Sequence, residues 1–294
     1  MDLVISAVAA VVAGLCLAGA GVLQQRAAAH RPSSERMSVR LITDLVRNRT
    51  WLSGIGLAAL SYGFQAVALT FGPLTLVQPL VVSELLFAVP VSVRLRGLRL
   101  RARDWAAVGL VIAGLTVGIV AADPHRGHPV QPFSTWWPAL LAVAVIAGGC
   151  VAAAKVLQGP VKASAFALAG SVVMGFQSAL YNTTIALLRR DLAGVFLHWE
   201  TYVLIIASIA GTFLIQNAFQ AGPLASSTPV IDATLPLVAV GLGVGLFDEH
   251  VRTSLFGLLG AAVGIVVLVG GIVALDTSPV VRKEQRIELE ERNE

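Results

Sequence analysis

Two carboxylates, Glu84 and Asp232, stand inside long apolar stretches of a 294-residue chain. A carboxylate surrounded by hydrocarbon is costly, and those found there mostly bind an ion, relay a proton or pair with another polar group. If a helix starts near Leu74, Glu84 lies about 15 Å along it at about 1.5 Å per residue. Asp232 lies about 12 Å past Leu224 on the same measure. Both depths are near the middle of a bilayer. The helical neighbours of Glu84 are Val77, Leu80, Val81, Phe87 and Ala88, all apolar. Asp232 shares a helix side with Ala225, Thr228 and Pro229, a small and polar set that suits a hydrated cavity. The competing reading is a pair of acids that hydrogen-bond neighbouring helices and hold the bundle together.

Pro79 and Pro229 lie in these same two segments. Each removes a backbone donor and frees a carbonyl one turn earlier, near Thr75 and Ala225. Freed carbonyls beside a carboxylate are hard oxygen ligands for a proton, Na⁺ or Mg²⁺. Kinks that serve packing alone are the plainer account. Further polar groups are Gln216, Asn217 and Gln220, then Tyr62 and Gln65, then Gln177, Tyr181 and Asn182. They suit the lining of a pathway or hydrogen bonds between helices.

Other patterns carry less. Gly241, Gly243 and Gly245 follow no strand, so they read as close helix packing and not as a nucleotide loop. Asp123, His125 and His128 read as a solvated loop, and Asp248-Glu249 as a short connection without a ligand set. Asn48-Arg-Thr50 and Asn182-Thr-Thr184 are chance glycosylation matches. No Ser-His-Asp, HExxH or P-loop arrangement is present, so an enzyme is the least favoured class and no cofactor is expected.

These residues need elements that can hold them in lipid. Hydrophobic residues are 56% of the chain and charged residues 13%, against about 25% charged in soluble domains. A spanning helix needs about 20 mostly apolar residues. Nine segments qualify, at 3–23, 51–70, 74–95, 104–122, 136–156, 163–188, 199–220, 223–246 and 253–275. The expectation is an all-α polytopic bundle. Trp51, Trp105, Trp136-Trp137 and Trp199 stand at segment starts, as interfacial belts do. Val39–Arg47 has the apolar spacing of a helix lying on the membrane surface. The tail 276–294 is charged and reads as solvated. Cys16 and Cys150 both fall in apolar stretches and read as buried thiols. The net charge of +4 comes from short Arg runs between spans, so nucleic acid is not the expected partner.

Seventeen of the 21 Lys and Arg fall on one side of a nine-span layout, leaving only Arg126, Arg189, Arg190 and Arg252 on the other. Positive charge marks the cytoplasmic side, so the N-terminus is expected outside and the C-terminus inside a cell (inner or plasma) membrane.

Gly72-Pro73-Leu74 with Pro79 recurs as Gly222-Pro223-Leu224 with Pro229, and Gly114 recurs as Gly264, all at an offset of 150. An odd number of spans separates the copies, so they run in opposite directions, as in many secondary transporters. The layout is then a first repeat over 1–122, an extra span at 136–156 and an inverted repeat over 163–275. The first span has weak matches in both the fifth and the sixth; the sixth is preferred because only it is antiparallel.

Together these residues resemble the drug/metabolite transporter superfamily of EamA-like proteins. In that superfamily each half closes with a short charged turn and a span of spaced glycines. Here Arg96-Gly97-Leu98-Arg99-Leu100 precedes Gly109 and Gly114, and Phe247-Asp248-Glu249-His250-Val251 precedes Gly257, Gly260 and Gly264. Phe71-Gly72-Pro73-Leu74-Thr75-Leu76-Val77-Gln78-Pro79-Leu80 is similar to the second-to-third span junction of NIPA-type magnesium transporters. The chain departs from that group at Glu84 and near Asp232. The resemblance implies a transporter with its site between the repeats. Glu84, Asp232, Thr228, Gln216, Asn217 and Gln65 are the expected contacts to a small metabolite or cation, with Glu84 and Asp232 as ligands if the cargo is Mg²⁺. A non-transporting membrane scaffold is the rival from another class, and a homodimer is left open. The orientation is tested in intact cells with a membrane-impermeant thiol reagent. It should label the site made by Asp191→Cys and spare that of Lys162→Cys; the opposite pattern inverts the topology.

Overall fold

A computed structural model describes residues 1–29, 49–95, 98–222, 224–281 and 283. Nine helices among them are long and apolar enough to cross a membrane. The first two spans are α1 (Asp2–Ala29) and α2 (Arg49–Phe71). The third is broken into α3 (Leu74–Val81) and α4 (Glu84–Leu95). Then follow α5 (Ala102–Ala122), α6 (Phe133–Ala154), α7 (Gly159–Arg190), α8 (Trp199–Ala221), α9 (Leu224–Phe247) and α10 (Leu255–Asp276). Val145, Phe213, Ile206 and Val266 are among many large apolar side chains on the outer surface. Water would not tolerate that surface, whereas lipid covers it at no cost. The protein is therefore a multi-pass membrane protein. The surface-helix expectation for Val39–Arg47 lies outside the described residues.

The break in the third span corrects the single helix expected over 74–95. Pro79 removes a donor within α3, and the chain then tightens: Ser83 N–H donates to Leu80 O at 3.0 Å and Leu85 N–H to Val82 O at 3.1 Å. Glu84 is thus the first residue of a new helix. Pro229 and Pro236, by contrast, lie inside a continuous α9.

The 32-residue α7 is the most buried span and packs on α6, α8 and α9. At the other side α1 packs on α2 and on both pieces of the broken span. Ser6 Oγ donates to Ala68 O at 2.9 Å and Ser61 Oγ to Ala13 O at 2.8 Å, joining α1 to α2. Trp136 corrects the belt reading. It is fully buried, with edge-to-face contacts to Phe176, Trp199 and Phe247 at 5.4–5.8 Å. Trp137 keeps an exposed position. The tail reading also needs correction at its start, because Asp276, Ser278, Val280 and Val281 are buried.

The α5 and α10 helices form the most extensive pair, and glycine makes it possible. A Cβ on Gly114 would lie 2.3 Å from Leu268 N, and one on Gly264 would lie 2.4 Å from Gly118 Cα. Gly109, on the same helix, faces open space. Gly114→Ala is therefore expected to lower stability by about 1–3 kcal/mol, read as a drop in thermal midpoint in detergent. Gly109→Ala should leave the midpoint unchanged or slightly raised.

Candidate functional site

Glu84 and Asp232 meet. A cavity of about 140 Å³ lies between α2, the broken third span, α7 and α9, and both acids line it. Gln65, Tyr62 and Gln177 of the expected polar set line it too, together with Gln78 and Ser178. The break explains how Glu84 gets there. Gly14 on α1 lets that helix approach the Val82–Ser83 turn so closely that a Cβ would lie 2.9 Å from Ser83 Oγ and from Val81 O. The turn is pinned from behind, and the first residue of α4 borders the cavity.

The cavity has an uneven chemistry. It holds two carboxylates, and among the described residues no Lys, Arg or His lines it. The acids interact electrostatically with each other, and neither makes a hydrogen bond to another described residue. Gln78 and Gln177 are more than nine-tenths buried, yet their amides also lack protein partners among the described residues. Buried amides normally find partners, so these two present donors and acceptors to whatever occupies the cavity. Gln65 is partly engaged, donating to Ser61 Oγ at 3.4 Å. The chemistry of such a lining suits positive charge: a proton, a metal ion or an amine.

Other expected contacts lie elsewhere. Thr228, Gln216, Asn217 and Pro229 do not line this cavity. Gln216 is exposed, and Asn217 turns back on its own helix, donating from Nδ2 to Phe213 O at 2.7 Å. Pro79 faces a second, almost wholly apolar cavity of about 230 Å³ between α3, α5, α9 and α10.

Two acids outside the expected set matter. Asp276, at the end of α10, is buried and close enough to Asp232 for their charges to interact. The sequence gives it the look of a solvated tail residue because charge follows it. Glu249 corrects the reading of Asp248-Glu249 as a plain connection. Its Oε1 accepts from Leu74 N–H at 2.7 Å and its Oε2 from Thr75 N–H at 2.9 Å, so it caps the start of α3. Gly243 is the only member of the Gly241–Gly245 run in close contact, and what it faces is Glu249 Oε2 and Thr75. A paired backbone bridge between His125 and His250 joins this loop to the α5–α6 loop. Asp123 adds an ion pair to Arg252 at 2.8 Å.

No protein-family model matches the chain, and no solved structure matches it. An uncharacterized protein of Corynebacterium glutamicum is 29% identical over 269 residues, which cover 90% of this chain and 92% of that protein. The similarity spans both halves, so it takes in α2 to α4 and α7 to α9 alike.

Burial pushes the Glu249 carboxyl up from its ordinary value of 4.5, against the pull of the Thr75 and Leu74 amides and the Arg126 charge. An acid raised in the folded state binds more protons there than when unfolded, so its contribution to stability is lost as pH rises above about 4.5. Glu249→Gln should flatten that fall. Glu249→Ala leaves two helix-start donors unpaired and is expected to cost about 1–3 kcal/mol. Thermal midpoints across pH 4 to 8 test both.

Proposed function

We propose that this chain is a secondary transporter in which Glu84 and Asp232 take up a proton or cation while a small metabolite or cation crosses the membrane. The carrying observation is one buried cavity lined by two carboxylates and by amides that, among the described residues, have no partner, with no described basic side chain. A carboxylate inside a lipid-facing bundle is tolerated where it binds something. An enzyme is not favoured, because the cavity offers no nucleophile set beside an activating base.

The helix pairing supports an inverted repeat. The first span packs on the second and third, and the sixth packs on the seventh and eighth. The fourth and ninth pack on each other, and the third meets the eighth. Equivalent neighbours at an offset of five spans fit two halves related by an axis in the membrane plane, with the first span matched to the sixth. That arrangement, together with the motifs above, favours a drug/metabolite transporter-like protein. The N-terminus is taken as outside, from the distribution of Lys and Arg.

A second reading is Mg²⁺ transport. Mg²⁺ keeps several waters and needs only one or two carboxylates, which this cavity supplies along with amide oxygens. Among the described residues no three His, Cys, Asp or Glu gather to hold a metal, so the ion would have to stay partly hydrated.

Purified protein in proteoliposomes should carry a flux of amines, amino acids or Mg²⁺. Glu84→Gln or Asp232→Asn should reduce that flux by about tenfold or more while the folded fraction is preserved. A proton current that accompanies solute favours coupling; flux of Mg²⁺ without one favours the second reading. If both variants transport like the wild type, the acids are structural and the proposal fails.

A further inference from the structure

The central cavity has a neighbour along the same helices. A cavity of about 100 Å³ lies where α2 and α7 end and the α5–α6 loop crosses them. One stripe of α7 serves both spaces: Gln177 and Ser178 line the central cavity, and Asn182 and Arg189 line this one. Spacings of four and seven residues keep Ser178, Asn182 and Arg189 on one helix face. On α2, Gln65 and Leu69 repeat the division.

The chemistry here is the opposite of that below. Arg126 and Arg189 both line the cavity, and both donate to the one carbonyl of Thr70, Arg189 from Nη1 at 3.4 Å. Arg126 also reaches Leu69 O at 3.3 Å. Each guanidinium carries five N–H donors, and these backbone acceptors use few of them. Burial, and then the Arg189 charge, push the Arg126 guanidinium down. Glu249 lines the cavity as well, and Asp2 also acts on Arg126. Both Glu249 oxygens, however, are taken by the Leu74 and Thr75 amides. Asn182 is 6% exposed, lines the cavity and has no hydrogen-bond partner among the described residues. A buried amide without a partner marks a place where a ligand atom or water belongs.

We infer that this cavity is a vestibule that receives a small oxyanion, a carboxylate or phosphate group of the transported solute, between Arg126 and Arg189 with Asn182 at its floor. Guanidinium groups bind such oxyanions in paired, charge-assisted hydrogen bonds. The inference rests on the transport reading and names its cargo as a metabolite bearing an anionic group. Positive charge is then taken up one layer deeper, at Glu84 and Asp232.

The test measures binding without transport. Full-length protein in nonionic detergent is titrated with inorganic phosphate, or with acetate, against chloride at constant ionic strength, and the thermal midpoint is followed. A saturable rise with either oxyanion is expected. Arg126→Gln and Arg189→Gln should each weaken its midpoint concentration by about tenfold or more, and Asn182→Ala should weaken it less. No rise beyond that in chloride, or an equal rise in both arginine variants, overturns the inference. A parallel arm compares nanodiscs of phosphatidylcholine with nanodiscs containing phosphatidylglycerol. If the arginines retain phosphatidylglycerol and free phosphate and acetate do not displace it, the site is a lipid headgroup site and the inference is overturned. Loss of the oxyanion effect leaves the flux measurements on Glu84 and Asp232 standing, so failure here is distinguishable from failure of the transport reading.

Discussion

An uncompensated pair of carboxylates inside a bundle whose outer face is hydrocarbon constrains everything around it. Lipid offers no hydrogen bonds, so polar groups at that depth must be satisfied by protein, by water in a cavity, or by a bound species. Glu84 and Asp232 lack hydrogen-bond partners among the described residues, and the cavity that they line is bordered by amides. The third span breaks beside this site, and Glu84 opens its second piece. A continuous helix keeps one hydrogen-bond ladder throughout, whereas at Val82–Ser83 the ladder gives way to short-range turn bonds just before the acid. The buried, unpartnered Ser83 Oγ sits at that turn.

A broken helix is unstable on its own, and the neighbouring elements hold each end. An eight-residue helix such as α3 is too short to persist without support. At its start Glu249 supplies two strong acceptors to amides that have no partner within the helix. At its far end α1 closes over the turn by way of Gly14. Between these points Leu74 and Val77 pack completely into the aromatic core built on Trp136 and Phe247. The loop that provides Glu249 is itself fixed, through the His125–His250 bridge and the Asp123–Arg252 pair, to the connection that carries Arg126. The position of Glu84 therefore depends on contacts from four separate parts of the chain.

This layering explains what can be read from the sequence and what cannot. Span number follows from runs of about 20 apolar residues, a local property, and each of the nine runs appears as helix, the third in two pieces. The two acids stand out because charge within such a run is rare. Their meeting, by contrast, depends on which helices pack together, and the Gly-Pro-Leu repeat is the signal that points there. Gln216 and Asn217 fail as cavity contacts for the same reason: α8 has enough polar residues, but its rotation about α7 is set by packing at Gly170 and Gly211. Glu249 is invisible because its partners, Leu74 and Thr75, are 175 and 174 residues away and are backbone amides, which leave no mark on composition. Asp276 is hidden by the charged residues that follow it. Trp136 shows that an aromatic at a span start can equally be the centre of a core.

The two polar cavities share no lining residue. Along the chain, Ala68 of α2, Leu74 and Val77 of α3 and Leu180 of α7 fall between lining residues of the one cavity and of the other, and all four form an apolar layer completely buried in one core cluster. An ion crossing this apolar layer would lose its hydration and gain few ligands; Thr75, between Leu74 and Val77, places a buried hydroxyl on the same segment. On the transport reading, the layer is what keeps the two spaces from being open together, and two of its four members ride on α3. Moving α3 as a unit requires its bonds to Glu249 to change at one end and the Val82–Ser83 turn to flex at the other. On that reading the broken span serves two ends with one piece of backbone: it carries a carboxylate to the cavity and supplies the part of the barrier that a short segment can shift without unfolding a whole helix.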